Sequence, residues 1–344
     1  MRRKKLGAEE LSEMCSQIAA MTGVGINIGT TMEILQKGMK DTKQLSVYQE
    51  LHRLLMEGVL FSDALERIKI FPEMMIQMFR SAEATGRMEQ TAKRMAIHYQ
   101  KEHRLKHQIS EALLYPKVLL LMAMCMFLFL FWFIIPEICV VFGDMDLPVW
   151  TRCLMTCSSI LKEFWYLGLL IAAVCILLWK CLLKRNGIKV ILDRCKVHMP
   201  VVGKCRTVLY TARFARTFSS LYGSGLSLIN CVELSGRTVG NRYMEQQFMN
   251  AIVKMKEGDL LSHVMECIDG LDKKLSPIIY VGEETGKLET MLDGVADHYE
   301  YEAEMMLKKA AAMTEPVMIL IMGLLIGSIL LGIMLPLWNM YGMI

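Results

Sequence analysis

At 344 residues, 53% hydrophobic and 22% charged, the chain has room for two ordinary domains and mixes membrane-like with soluble segments. Its 30 methionines against 8% aromatic residues favour helices packed through flexible apolar side chains over sheets of β-branched and aromatic residues. A net charge of +4 without a basic stripe excludes nucleic acid as a partner.

Basic Met1 to Lys5 leads into a stretch holding Glu9, Glu10 and Glu13, so no cleavable signal peptide is expected. Leu11, Met14, Cys15, Ile18 and Ala19 then recur at helical spacing, as do Met88, Ala92, Met95, Ala96 and Tyr99. Residues 1–113 therefore read as a cytoplasmic helical-bundle module. Polar residues from Lys101 to Gln108 are expected on the exposed face of a long helix running into a first transmembrane helix, 114–136, whose interior Val118 to Ile135 is charge-free. A single central Lys or Asp costs about 2.5–3.5 kcal/mol in a bilayer, so such interiors are decisive.

Residues 137–163 form an expected external loop, with Glu137, Asp144, Asp146 and Glu163 against only Arg152 and Lys162. A second transmembrane helix, 164–183, is followed by Lys184, Arg185 and Lys189. The second cytoplasmic module, 184–312, carries the stripes Phe214, Phe218, Leu221, Tyr222 and Leu288, Leu292, Val295, Ala296, Tyr299. A third transmembrane helix, 313–336, and an external tail, 337–344, close the chain. Positive flanks place the N-terminus inside and the C-terminus outside. The expected fold is thus all-α: two repeated cytoplasmic helical-bundle modules with three transmembrane helices. No charge lies deep within a span, which counts against the alternative of a small multi-pass transporter.

The modules are a duplication at a constant offset of 200 residues, pairing Gly23 with Gly223, Gly58 with Gly258, Glu83 with Glu283, Gly86 with Gly286, Tyr99 with Tyr299 and Pro116 with Pro316. Pro116 and Pro316 are expected where the spans begin. The sharpest local motif is Glu83-Ala84-Thr85-Gly86 and its copy Glu283-Glu284-Thr285-Gly286. It reads as a turn between helices in which the glycine lets the chain reverse and Glu89 or Glu289 complements the next helix dipole. Glu83 and Glu283 are also candidates for a partner-contact surface, in which case charge reversal there should leave folding intact.

No catalytic, cofactor-binding or metal-binding residues are assigned. The 11 cysteines form no CxxC pair and read as small hydrophobes; Cys153 and Cys157 sit one helical turn apart, a poor geometry for a bridge. The segment Gly282 to Leu288 lacks the four-residue glycine spacing and the Ser or Thr of a phosphate loop. His98 and His298 are expected on an exposed helix flank, and Glu300, Glu302 and Glu304 on a solvated face.

With these residues in place, the chain resembles the inner-membrane platform proteins of type II secretion and type IV pilus systems, the GspF/PilC family. The resemblance covers nearly the whole chain. It rests on the tandem Glu-x-Thr-Gly motifs, Tyr115-Pro116, Glu315-Pro316, His198 to Gly203, and Tyr210 to Arg216. It implies a non-enzymatic, homo-oligomeric platform without cofactors in the cell inner membrane, engaging the lipid bilayer. The implied partners are a hexameric assembly ATPase, pilin or pseudopilin subunits and other inner-membrane assembly proteins.

Overall fold

The apolar stripes become helices, and the helices repeat in register across the duplication. A computed structural model describes residues 6–38, 42–134, 137, 156, 186–199 and 202–342. The predicted second span, nearly all of the external loop with Cys153 and Cys157, and the last two residues of the tail lie outside the described residues.

Module 1 runs α1 (Ala8–Gly23), α2 (Ile28–Gly38), α3 (Thr42–Met56), α4 (Phe61–Ile68), α5 (Glu73–Thr85) and α6 (Met88–Ala112). After Leu113 comes α7 (Leu114–Phe129), which widens into one π-helical turn at Leu130–Ile134. Module 2 is preceded by α8 (Asn186–His198), which has no counterpart. It continues as α9 (Val202–Tyr222), α10 (Leu228–Thr238), α11 (Arg242–Lys256), α12 (Leu261–Glu266), α13 (Leu275–Thr285) and α14 (Leu288–Gly342). Each of α9 to α14 thus answers one of α1 to α6. The described residues contain no β-strand.

Two compact units result, one of residues 1–108 with 190–305 and one of 109–189 with 306–344. In the first, the predicted stripes are the core: Met14, Cys15 and Ile18 on α1 and Ala92 and Met95 on α6 are wholly buried, as are Phe214, Phe218, Leu292 and Ala296 in module 2. Ser12 Oγ ties α1 to α6 by donating to the Ala96 carbonyl at 2.9 Å. Aromatic packing differs between copies. Phe61 meets Phe79 edge-on at 5.0 Å in module 1, whereas Phe214 stacks on Phe248 at 5.0 Å in module 2. Buried Asp193 on α8 accepts from the Arg242 amide at 3.1 Å, and Asn241 accepts from the Met244 amide at the same distance, so α8 is pinned where α11 begins.

In the second unit, Leu130 and Ile329 are buried with Phe127, Ile134 and Leu325 packed against them. Most other apolar side chains here, among them Leu120, Leu121, Ile319 and Leu324, are exposed, the arrangement expected of helices whose solvent is lipid. Among the described residues, two helical stretches, Met88–Ile134 and Leu288–Leu331, are long and apolar enough to cross a membrane.

Candidate functional site: acidic turns and the seam between modules

The paired acidic turns fold alike. Gly86 ends α5 at φ +69° and Gly286 ends α13 at φ +65°, left-handed positions where glycine has no Cβ penalty. One turn upstream, Glu83 reaches across to the start of α4. It accepts from the Phe61 amide at 2.5 Å, the Ser62 amide at 3.2 Å and the Ser62 hydroxyl. Glu283 does the same for α12, accepting from the Leu261 and Ser262 amides at 2.9 and 3.0 Å. The N-cap residues of these helices are Leu60 and Leu260, which offer no side-chain acceptor. A carboxylate from the following helix therefore satisfies amides that the N-cap residue leaves orphaned, and it complements the helix dipole. With each carboxylate held at a helix end, charge reversal at Glu83 or Glu283 is expected to destabilise the fold, against the expectation that a partner-contact role would leave folding intact. Exposed side chains of the two turns are Thr85 and Arg87 in the first and Glu284, Thr285 and Lys287 in the second.

A second constellation joins the modules. Arg94 donates to Glu289 at 2.5 Å, Lys101 to Asp297 at 2.7 Å and Gln108 to Glu304 at 2.9 Å. Both partner numbers rise together, so α6 and α14 run parallel. At the centre, Arg216 of α9 is nearly buried and binds Asp293, Asp297 and Glu300 of α14. Burial opposes its charge, but Glu300 and Asp297 outweigh that and raise its pKa above the ordinary arginine value. Asp297 responds in the same sense. Partial burial works against its ionisation, yet Lys101 and Arg216 hold its carboxyl below the usual range. Arg237 of α10 also donates to both oxygens of Glu73 on α5, at 2.8 and 2.7 Å.

His98 lies inside this seam, 6% exposed, not on the exposed flank expected of it. Its Nδ1 is 3.1 Å from the Ser220 hydroxyl, whose own proton goes to the Arg216 carbonyl at 2.9 Å. Imidazole is therefore the donor, in its neutral form, and burial pushes its pKa down to about 4. Only His298 keeps the solvent position. Glu300 and Glu304 likewise leave the expected solvated face, since Glu304 is met by Gln108 across the seam and Glu300 by Arg216 of its own module. A cavity of about 370 Å³ beside His98 is lined by Tyr99, Glu102, Arg213, Arg216 and Glu300.

The two prolines occupy different positions. Pro116 falls in the first turn of α7, where its missing amide costs nothing. Pro316 begins no helix, because α14 runs through it from Leu288 to Gly342. The helix there forgoes one backbone bond to Ala312 and continues. Tyr115, Met122 and Phe129 face Glu315, Met318 and Met322 across a largely apolar cleft of about 780 Å³.

The sequence reading named Arg216 and His98 but missed the seam role of each, although a signal existed. Positions equivalent by duplication have diverged in charge: Ser16 against Arg216, Ile97 against Asp297, Gln100 against Glu300. No group of three or more His, Cys, Asp or Glu side chains placed to hold a metal ion occurs among the described residues.

Comparison with known proteins matches the family described as "Type II secretion system (T2SS), protein F" to residues 14–136 and again to 214–336. The two matches are offset by the same 200 residues as the internal repeat. The type IV pilus assembly protein PilC of Thermus thermophilus is 29% identical over 339 residues, 98% of this chain and 84% of the relative. The type II secretion system protein F of Xanthomonas campestris pv. campestris is 27% identical over 344 residues, 99% and 85% of the two chains. The type IV pilus assembly protein TapC of Aeromonas hydrophila is 23% identical over 340 residues, 98% and 82%.

Proposed function

Because this chain belongs to the type II secretion system protein F family, we propose that it is the inner-membrane assembly platform of a type II secretion or type IV pilus machine. The observation that carries this reading is the double family match in register with two six-helix modules. The platform is not an enzyme. It couples a hexameric cytoplasmic ATPase to the insertion of pilin or pseudopilin subunits into a filament, alongside other inner-membrane assembly proteins.

In this reading modules 1–113 and 184–312 are cytoplasmic, and spans 114–136, 164–183 and 313–336 cross the membrane with the C-terminus outside. The charge-free stretches and basic flanks support it. A cysteine introduced at Asp146 should react with an impermeant reagent from the external side; labelling from the cytoplasmic side alone would overturn the topology.

The ATPase contacts the two acidic turns through their exposed residues. Duplication supplies the same turn twice, and each turn precedes a helix, α6 or α14, that contributes residues to both units. Arg87→Glu with Lys287→Glu reverses the exposed charge and leaves the Glu83 and Glu283 caps in place. The doubly substituted chain should keep its helical melt, lose co-purification with the assembly ATPase and fail to build filaments. Full ATPase binding by that variant would refute the contact. Stoichiometric, magnesium-dependent ATP binding by the purified platform would refute the non-enzymatic assignment.

A further inference from the structure

One tyrosine of each module holds the same place in the repeat, and the two hydroxyls differ in what they meet. Tyr99 and Tyr299 are both buried, 3% and 2% exposed. In module 2 Asp272 is the side-chain hydrogen-bond partner of the Tyr299 hydroxyl. The residue 200 positions earlier is Pro72, whose side chain offers no acceptor, and the Tyr99 hydroxyl is buried without a hydrogen-bond partner among the described residues. Native folds keep few such groups, because the desolvation of the hydroxyl goes uncompensated.

Pro72 and Tyr99 both line the cavity of about 370 Å³ that α6 and α9 border. The cavity therefore stands beside the position that a carboxylate fills in the other module. Its charges do not balance. Lys106 is bonded to Glu102 at 2.6 Å and Arg216 to Glu300 at 2.8 Å, which leaves Arg213 as a lining cation that meets no carboxylate among the described residues; its bond is a long one, 3.5 Å to the Val239 carbonyl. Tyr99 and Arg213 are both donors. Burial pushes the Tyr99 pKa well above the ordinary tyrosine value and so keeps the proton on the oxygen, and a guanidinium has no acceptor at all. Pro72, Met74 and Leu105 supply an apolar wall.

We propose that this cavity is a binding site for a small organic monocarboxylate, whose carboxylate bonds Tyr99 and Arg213 and whose apolar body lies against Met74 and Leu105. Charge selects the class. One negative charge cancels Arg213 and can take paired hydrogen bonds from its guanidinium, whereas a phosphate group carries about −1.5 to −2 at pH 7 and would set its surplus against Glu102 and Glu300. Size agrees, since ligand cavities begin at about 300 Å³. Tyr99 belongs to module 1 and Arg213 to module 2, so a bound carboxylate bridges the modules, tightens the seam and raises the melting temperature of the chain. The site lies apart from the acidic turns and does not rest on the platform reading.

The test uses the purified full chain in detergent, with benzoate as the probe and benzamide as its uncharged isostere, followed by saturation-transfer difference NMR and by thermal melts. Benzoate should saturate with a Kd of about 1 mM or tighter and raise the melting temperature, and benzamide should do neither. Arg213→Gln should weaken benzoate at least about tenfold and Tyr99→Phe about threefold. Because Tyr99→Phe removes only an unpartnered hydroxyl, its melt without ligand should hold or rise. Pro72→Asp supplies the module 2 carboxylate from within the chain and should abolish the benzoate response. It should also raise the melt of the wild-type chain by more than that of the Tyr99→Phe chain, which separates the new bond from the better helix cap that an aspartate provides. No saturable response to benzoate, an equal response to benzamide or to inorganic phosphate, or a response untouched by both Arg213→Gln and Pro72→Asp would each overturn the site.

Discussion

Arg216 donates to both carboxylate oxygens of Glu300, from Nε at 2.8 Å and from Nη2 at 3.0 Å, at positions where module 1 carries Ser16 and Gln100. Module 2 has thus acquired an ionic clamp that its sister lacks, and the clamp lies where α6 crosses. Its guanidinium is largely desolvated while Asp293 and Asp297 remain more than half exposed, so the energetic weight falls on the bond to Glu300, which is 20% exposed.

Arg216→Ala should destabilise the chain by about 3–5 kcal/mol, because it strands the Glu300 carboxylate. Arg216→Lys should recover only part of this, since an ammonium cannot bind two oxygens in the plane of a fork. Thermal melts followed by circular dichroism decide it; equal melting temperatures for wild type and the alanine variant would remove the clamp from the account.

The capping role of Glu83 and Glu283 predicts that Glu83→Lys or Glu283→Lys costs about 1–2 kcal/mol by removing an acceptor and placing a cation at a helix N-terminus. Gln at either position should cost less, as one acceptor oxygen survives. Amide exchange offers the local check. Phe61 and Ser62, or Leu261 and Ser262, should exchange faster in the Lys variants than in wild type, and unchanged protection would contradict the cap.

Protonation of His98 should destabilise the seam. Its pKa falls from 6.5 in the unfolded chain to about 4 in the fold, so the unfolded state binds the proton first and stability declines as pH drops through that window. Burial is the main cause, Arg216 adds to it, and Glu102 partly opposes it. At 1.36 kcal/mol per unit the loss amounts to ~3 kcal/mol by the acid end. His98→Gln should flatten this part of the pH profile of the melting temperature, and an identical slope in the variant would exclude His98 as the source.

Gly236 lies against Phe248, where an added Cβ would come within 2.7 Å of the ring. Phe248 is fully buried and cannot swing away. Gly236→Ala should cost about 1–3 kcal/mol through overpacking, whereas Gln36→Ala, at the equivalent site of module 1, should have little effect. Comparable melts for the two variants would show that the contact relaxes freely.

The linear pattern carried much of this architecture, for reasons that are local. Leu11, Met14, Cys15 and Ile18 recur at the helical period, and that period alone selects the buried face of α1. The offset that pairs Gly86 with Gly286 is a property of the chain, and it located the turns whose φ values are +69° and +65°. The same reading missed where Glu83 points, since the orphan amides it satisfies belong to Phe61 and Ser62, at the start of the preceding helix. It placed His98 in solvent because helical periodicity describes one helix at a time and cannot see a second module closing over the flank. Duplication made His98 and His298 equivalent in sequence, and asymmetric docking, which buries one and exposes the other, made them different in environment.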